Sequence, residues 1–340
     1  MIRSRPVICF AFAIALLGAG CRRGPINTAP AEAPLKSGPL TDFVPAAGLR
    51  WMAAARLADL ENTPSLRPLL AQLVPDARLD AFTLSTGIDL RQVPDAVAAG
   101  FDYSTLYFAE TPFENSPIET RFVDRLVSGA TVESTHPRVR RVSGTIGLVA
   151  ETLVRVDHRF VVFDVGDPGQ AKIVELFVTG RIARSPSALR GSALGAVPAD
   201  LASAPARFYA AGPFTGEWEK GARGLLGAAT AVGVTATPEG QDLHVRLVIV
   251  GNYAGMDVAR LSSAWQDLAE SSIGRLTSLD QPSVPPEVRL EAGYLALDVK
   301  ILARPLFAGM RAAVAADVWE MLGAPSRRSG DKPPGNNHEH

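Results

Sequence analysis

"RFYAA" at Arg207–Ala211 echoes "RWMAA" at Arg50–Ala54, and the fold turns on whether the echo marks one strand laid down twice. Each stretch opens with arginine, continues with two bulky apolar residues and ends in alanine. Around the first, "LRWMAAARL" (Leu49–Leu57) is apolar enough for a strand. It is followed by Ser65–Val74, where Leu66, Leu69, Leu70 and Leu73 recur at helical spacing. Residues 96–109 read as one or two strands. A helix is expected from about Pro117, with Ile118, Phe122 and Leu126 on one face, Ser116 as N-cap and Gly129 past its end. Four strand-like runs follow, at Ser143–Ala150, Thr152–Val156, Arg159–Val165 and Lys172–Ile182, with a "DPG" turn at 167–169 before the last.

The second half repeats this plan. A short helix near Glu217–Leu226 leads into the hairpin "ATAVGVTA", "TPEGQD", "LHVRLVIVG" (Ala229–Gly251). A long helix is expected over Met256–Leu276, carrying Leu261, Trp265, Leu268, Ser272 and Leu276 on one face. "VRLEAGYLALDVKI" (Val288–Ile301) reads as a strand alternating apolar Leu295, Leu297 and Val299 with Ala296 and Asp298. A last helix shows Phe307, Met310, Val314, Val318 and Met321 as a stripe, and "ILAR" (Ile301–Arg304) echoes "RIAR" (Arg181–Arg184). Alternating strands imply sheets with one face packed on helices. The expected class is α+β. Two antiparallel sheet-plus-helix units, 45–197 and 205–325, are joined near Pro198–Pro205 as a tandem repeat, and a polar tail, 326–340, is expected to be disordered.

The bulk numbers agree with a globular body. Of 340 residues, 47% are hydrophobic and 20% charged, which excludes wholesale disorder, and the length favours two domains. A formal net charge of −1 gives no field to steer a nucleic acid partner. Both cysteines, Cys9 and Cys21, lie in the first 21 residues. The body therefore has no disulfide, no thiolate nucleophile and no Cys-ligated metal.

"MIRSRP" followed by the uncharged run Val7–Gly20 is a charged start and an apolar core too short to span a bilayer comfortably, which together read as a secretory signal peptide over 1–20. The exit Leu17-Gly18-Ala19-Gly20-Cys21 resembles the lipobox of bacterial lipoproteins. The resemblance implies cleavage after Gly20, acylation of Cys21 and, with Arg22 rather than Asp in the next position, the outer membrane as destination. Gly18-x-Gly20 also fits a small-x-small site for the ordinary signal peptidase, so simple secretion stands as the alternative. Residues 21–44 are rich in Pro and Ala and read as an extended tether.

Motifs for chemistry are sparse. Nucleophile elbow, Walker loop, dinucleotide fingerprint and HExxH are absent as patterns, and "GSALG" (Gly191–Gly195) places its serine one position off the elbow spacing. His136, His158 and His244 share no metal-ligand spacing, although Asp157 beside His158 could orient an imidazole. His338, Glu339 and His340 fall in the tail, where no metal site is preorganised. Trp51, Trp218, Trp265 and Trp319 lie in apolar runs and are expected in the core. Arg138, Arg140 and Arg141 cluster in "HPRVRRVSG" as a possible contact for an anionic lipid or polysaccharide. The layout resembles uncharacterised exported lipoproteins of GC-rich bacteria. The expectation is a non-enzymatic, lipid-anchored envelope protein that binds an envelope protein or component, with no cofactor or metal. The alternatives are a carrier or sensor of an apolar ligand held between sheet and helices, and, behind it, a hydrolase with an unrecognised site.

Overall fold

The two echoing pentapeptides are hydrogen-bonded neighbours. β1 (Leu49–Arg56) pairs antiparallel on one side with β2 (Asp95–Phe101) and on the other with β8 (Ala206–Ala211), so that Met52 faces Tyr209 and Ala54 faces Arg207. The computed structural model describes residues 34–111, 117–183, 187–216, 222, 225–253, 257–271, 274–275, 277–308 and 310–311. In chain order the remaining strands are β3 (Ser104–Glu110), β4 (Thr131–His136), β5 (Val139–Ile146), β6 (Val149–Val156) and β7 (Phe160–Gly166). After β8 come β9 (Ala229–Glu239), β10 (Asp242–Gly251), β11 (Pro282–Glu291) and β12 (Tyr294–Leu302). All belong to one sheet of 12 strands, ordered β11-β12-β10-β9-β8-β1-β2-β3-β7-β6-β5-β4, with every neighbouring pair antiparallel. The α+β class with a large antiparallel sheet stands, but the sheets expected for the two halves are continuous through the β1–β8 pair.

Helices lie on both faces. On one face Met52, Val97, Leu106, Phe108, Val162 and Tyr209 build a core with α5 (Gly169–Val178), the short α6 (Ala188–Gly191) and the 3-10 turns at Ala193–Ala196 and Ala199–Ser203. The opposite face carries two separate clusters. One packs Phe82, Ile88, Ile118 and Phe122, from α3 (Asp76–Thr86), the turn after it and α4 (Ile118–Arg125), onto Val142 and Leu153. The other packs Leu66, Leu261 and Trp265, from the start of α2 (Arg67–Leu73) and from α7 (Val258–Ala269), onto Ile249, Leu295 and Leu297. α1 (Leu57–Glu61) follows directly on β1.

Two strand readings are corrected. Lys172–Ile182 is not a strand: its larger part is α5, and buried Ala171, Val174, Glu175 and Val178 follow the i, i+3, i+4, i+7 spacing of a helix. The β-branched residues of that run suggest a strand, but the spacing decides. Val288–Ile301 is not one strand but a hairpin, because Gly293 takes φ 91 between the paired Glu291 and Tyr294. Gly87 ends α3 with φ 77, and any β-carbon there would crowd the backbone of Ile118. Of the last helix, residues 303–308 and 310–311 are helical, with Leu306 and Phe307 packed on the α7 cluster. Val314, Val318, Met321, the tail, the signal peptide and most of the 217–226 helix lie outside the described residues.

Asp164 anchors α5 to the sheet. It is 1% exposed and accepts a hydrogen bond from the Ala171 backbone N–H at 2.9 Å. Burial pushes its carboxyl up to about 6 from the ordinary 3.8, against the lowering effect of the Ala171 bond. The folded protein therefore keeps a proton that an unfolded aspartate has already released. That contribution to stability is complete below about pH 4 and is lost as the pH rises to about 6. Urea unfolding between pH 4 and 7 should show stability falling by on the order of 2 kcal/mol, and Asp164→Asn should flatten that slope.

Candidate functional site

Between the two helix-covered clusters, the sheet face is left open, and small side chains form its floor. Following the strand registers across, Ala109 faces Ala96, Ala96 faces Ala55, Ala55 faces Ala206 and Ala206 faces Ala236. Five neighbouring strands thus present alanine at the same level on the same face, as side chains alternate along each strand. The next row, two residues along each strand, reads Phe163, Tyr107, Ala98, Ala53, Phe208 and Val234 across six strands. The two rows floor an open groove of about 520 Å³. Phe82, Ile88 and Leu90 wall it on the α3 side. Next to the groove, Trp51 stacks on the floor residue Phe208 with ring centroids 6.3 Å apart and an interplanar angle of 18°, and it leans over Gly100, where a β-carbon would collide with the indole.

The charged groups near the groove belong to the opposite face. The Arg207 guanidinium donates to the carbonyls of Ala202 and Ala204, each at 2.9 Å, fastening the 3-10 segment beneath the sheet. Asp95 lies beside Arg56 and Arg207, and burial, the largest influence, raises its carboxyl against the pull of Arg207. The groove itself offers room and an apolar lining, and its chemistry is that of a binding site for hydrocarbon.

The residues singled out from sequence fall elsewhere and apart. His158 sits in the turn between β6 and β7, its side chain 49% exposed, with Nε2 3.9 Å from Asp157 Oδ1. His244 bonds Asp298 Oδ1 through Nε2 at 3.0 Å on β10. His136 is buried at the end of β4, and its Nδ1 accepts from the Arg138 N–H at 3.2 Å. Ser192 donates to the Ala188 carbonyl at 2.6 Å and accepts from the Leu194 N–H at 3.1 Å, acting as a local cap. Among the described residues no group of three or more His, Cys, Asp or Glu could hold a metal ion.

The three arginines do not share a surface. Arg141 is buried under α5, where its Nε donates to Glu175 Oε2 at 2.8 Å and its Nη2 to Glu133. Arg140, on the other face of β5, pairs with Glu119 at 2.6 Å, and Arg138 lies 3.6 Å from Asp157. Each guanidinium already faces a carboxylate. Trp265 is in the core as expected, and Trp51 is half-buried, packed against the α7 cluster. Trp218, Trp319, Gly20, Cys21, His338, Glu339 and His340 lie outside the described residues. The groove itself is absent from the sequence reading. Its signal was alanine at alternate strand positions, 53 and 55, 96 and 98, on strands that later prove adjacent.

No family model matches the chain, and no curated protein sequence matches it. Solved structures do. Crystal form I of TP0453 superposes with a TM-score of 0.50 at 11% identity, covering 84% of this chain and 99% of that chain. Crystal form III of TP0453 gives a TM-score of 0.49 at 10% identity, covering 82% and 99%. At such identity the likeness to form I speaks to the fold alone. Among the described residues no helix is long and apolar enough to cross a membrane.

Arg141→Ala would leave Glu175, which is 1% exposed, as an uncompensated buried charge. Urea denaturation should register a loss of about 3–5 kcal/mol for Arg141→Ala, and less than about 1 kcal/mol for Arg138→Ala or Arg140→Ala.

Proposed function

We propose that this protein is a membrane-tethered carrier or sensor of an apolar ligand, which lies in the alanine-floored groove. The alanine ladder carries the reading. A face meant only for core packing would place Leu, Ile or Val at those positions, and five directly paired alanines between two helix-covered clusters instead keep a volume of about 520 Å³ open. An apolar surface left facing water is costly unless something occupies it.

The reading places the carrier at an envelope membrane. The lipobox-like Leu17–Cys21 would supply acyl chains at Cys21 after cleavage behind Gly20, and the Pro/Ala-rich residues up to about 33 would hold the body off the outer membrane. The expected tether is shorter than 21–44, because Leu40, Phe43 and Val44 are buried in the core on the α5 side and belong to the body. It also treats the body as a tandem repeat, 45–197 and 205–325. In each half three consecutive strands form a meander, a helix follows (α4 or α7), and the return strands end beside the third strand, β7 against β3 and β12 against β10. The groove would then have formed where the two copies joined.

Two measurements test this. The purified body should take up the fluorescent probe N-phenyl-1-naphthylamine, and Ala55→Phe should lower its affinity at least about tenfold with the circular dichroism spectrum unchanged. No uptake by the wild type, or equal uptake by the variant, rejects the groove as a binding site. In cells, Cys21→Ser should abolish palmitate labelling and release the protein to the soluble fraction. Continued membrane retention rejects the anchor.

A further inference from the structure

We infer that the ligand is a single-chain amphiphile with an anionic head, its tail on the alanine ladder and its head at Arg67 in an adjoining cleft. This inference rests on the groove being a carrier site. The second cleft, about 390 Å³, opens between α1, α2 and α3, and Leu90 lines both clefts. The two differ in chemistry. The groove floor is apolar but for the Tyr107 hydroxyl, whereas the second cleft combines Leu60, Leu70 and Leu79 with charged Glu61, Asp76, Arg67 and Arg91.

The two arginines of that cleft are not equivalent. Arg91 is already held, its Nη2 2.8 Å from Asp80 Oδ1 and its Nε 2.8 Å from Asp89 Oδ1, and those bonds raise its pKa further. Arg67 has no carboxylate within salt-bridge distance among the described residues, although Glu61 and Asp76 line the same cleft. An arginine beside Leu70, in a cleft continuous through Leu90 with the apolar groove, with its sister neutralised and itself without an ion-pair partner among the described residues, matches a carboxylate or phosphate brought in by the ligand.

The groove's shape selects the tail. Six strands spaced ~4.8 Å apart make it about 24 Å long, while its two rows, one i to i+2 step, make it about 7 Å wide. Those proportions hold one hydrocarbon chain and not two side by side. The sheet also twists by ~20–25° at each strand, so the floor turns through on the order of 100° from β7 to β9. A flexible chain can follow that turn, and a rigid fused-ring plate cannot.

Isothermal titration with palmitate, 16:0 lysophosphatidic acid and 1-hexadecanol tests the assignment. Wild-type protein should bind at least one of the two anionic probes about tenfold more tightly than hexadecanol. The tighter of palmitate and lysophosphatidic acid identifies the head as carboxylate or phosphate. Arg67→Gln should erase the preference, and Arg78→Gln, on α3 outside both clefts, should keep it. Equal binding of all three probes by the wild type, or a preference that survives in Arg67→Gln, overturns the head assignment and leaves the groove reading standing. If none of the three binds, and N-phenyl-1-naphthylamine is also refused, the carrier reading itself fails.

Discussion

The β1–β8 pairing is the constraint on which the rest of the structure depends. Five residue pairs, from Trp51 with Ala210 to Ala55 with Ala206, turn two meanders into one sheet. The pairing is antiparallel, so it brings the alanine end of one half's first strand against the start of the other's. The ladder therefore draws Ala109, Ala96 and Ala55 from the first half and Ala206 and Ala236 from the second. A slip of one residue at the seam would put Met52 and Tyr209 on opposite faces, turning one of them toward the groove and carrying its strand's alanines to the α5 side. Buried Met52, at 0% exposure, holds the register that the open face needs but does not enforce.

The two faces of the central strands do different work. Beneath, Val97, Leu106, Phe108 and Tyr209 are close-packed against α5 and the 3-10 turns, and Arg207 ties the segment at 199–204 to the seam. Above, the same strands carry alanine along one row, and Ala98 and Ala53 sit between Tyr107 and Phe208 in the next. The rigidity of the groove floor thus comes from the layer below it. This arrangement lets a site of small residues keep its shape without contacts of its own.

Much of the strand and helix content was legible because it rests on local period. The α2 leucines, the α4 face, the β9–β10 hairpin and the Leu261–Trp265 face of α7 all lie where their spacing places them. Lys172–Ile182 was misread because its β-branched residues outweighed an i, i+3, i+4, i+7 pattern that was present. The continuity of the sheet was hidden in a different way. Strand order is set by pairings between residues far apart in sequence, and the "RWMAA" and "RFYAA" echo signalled kinship without revealing contact. The groove was hidden for the same reason, since alanines on five strands form a floor only once their neighbours are known.

The two edges of the sheet are unlike. β11 carries Pro282, Pro285 and Pro286, and its pairing with β12 is irregular at those positions, whereas β4 contains no proline. Proline removes backbone donors, so β11 cannot template another strand along its length. Edge-to-edge association of such a molecule has one usable side. Two copies joined through β4 would consume it on both, so assembly by strand addition stops at a closed pair and cannot run on into a fibre.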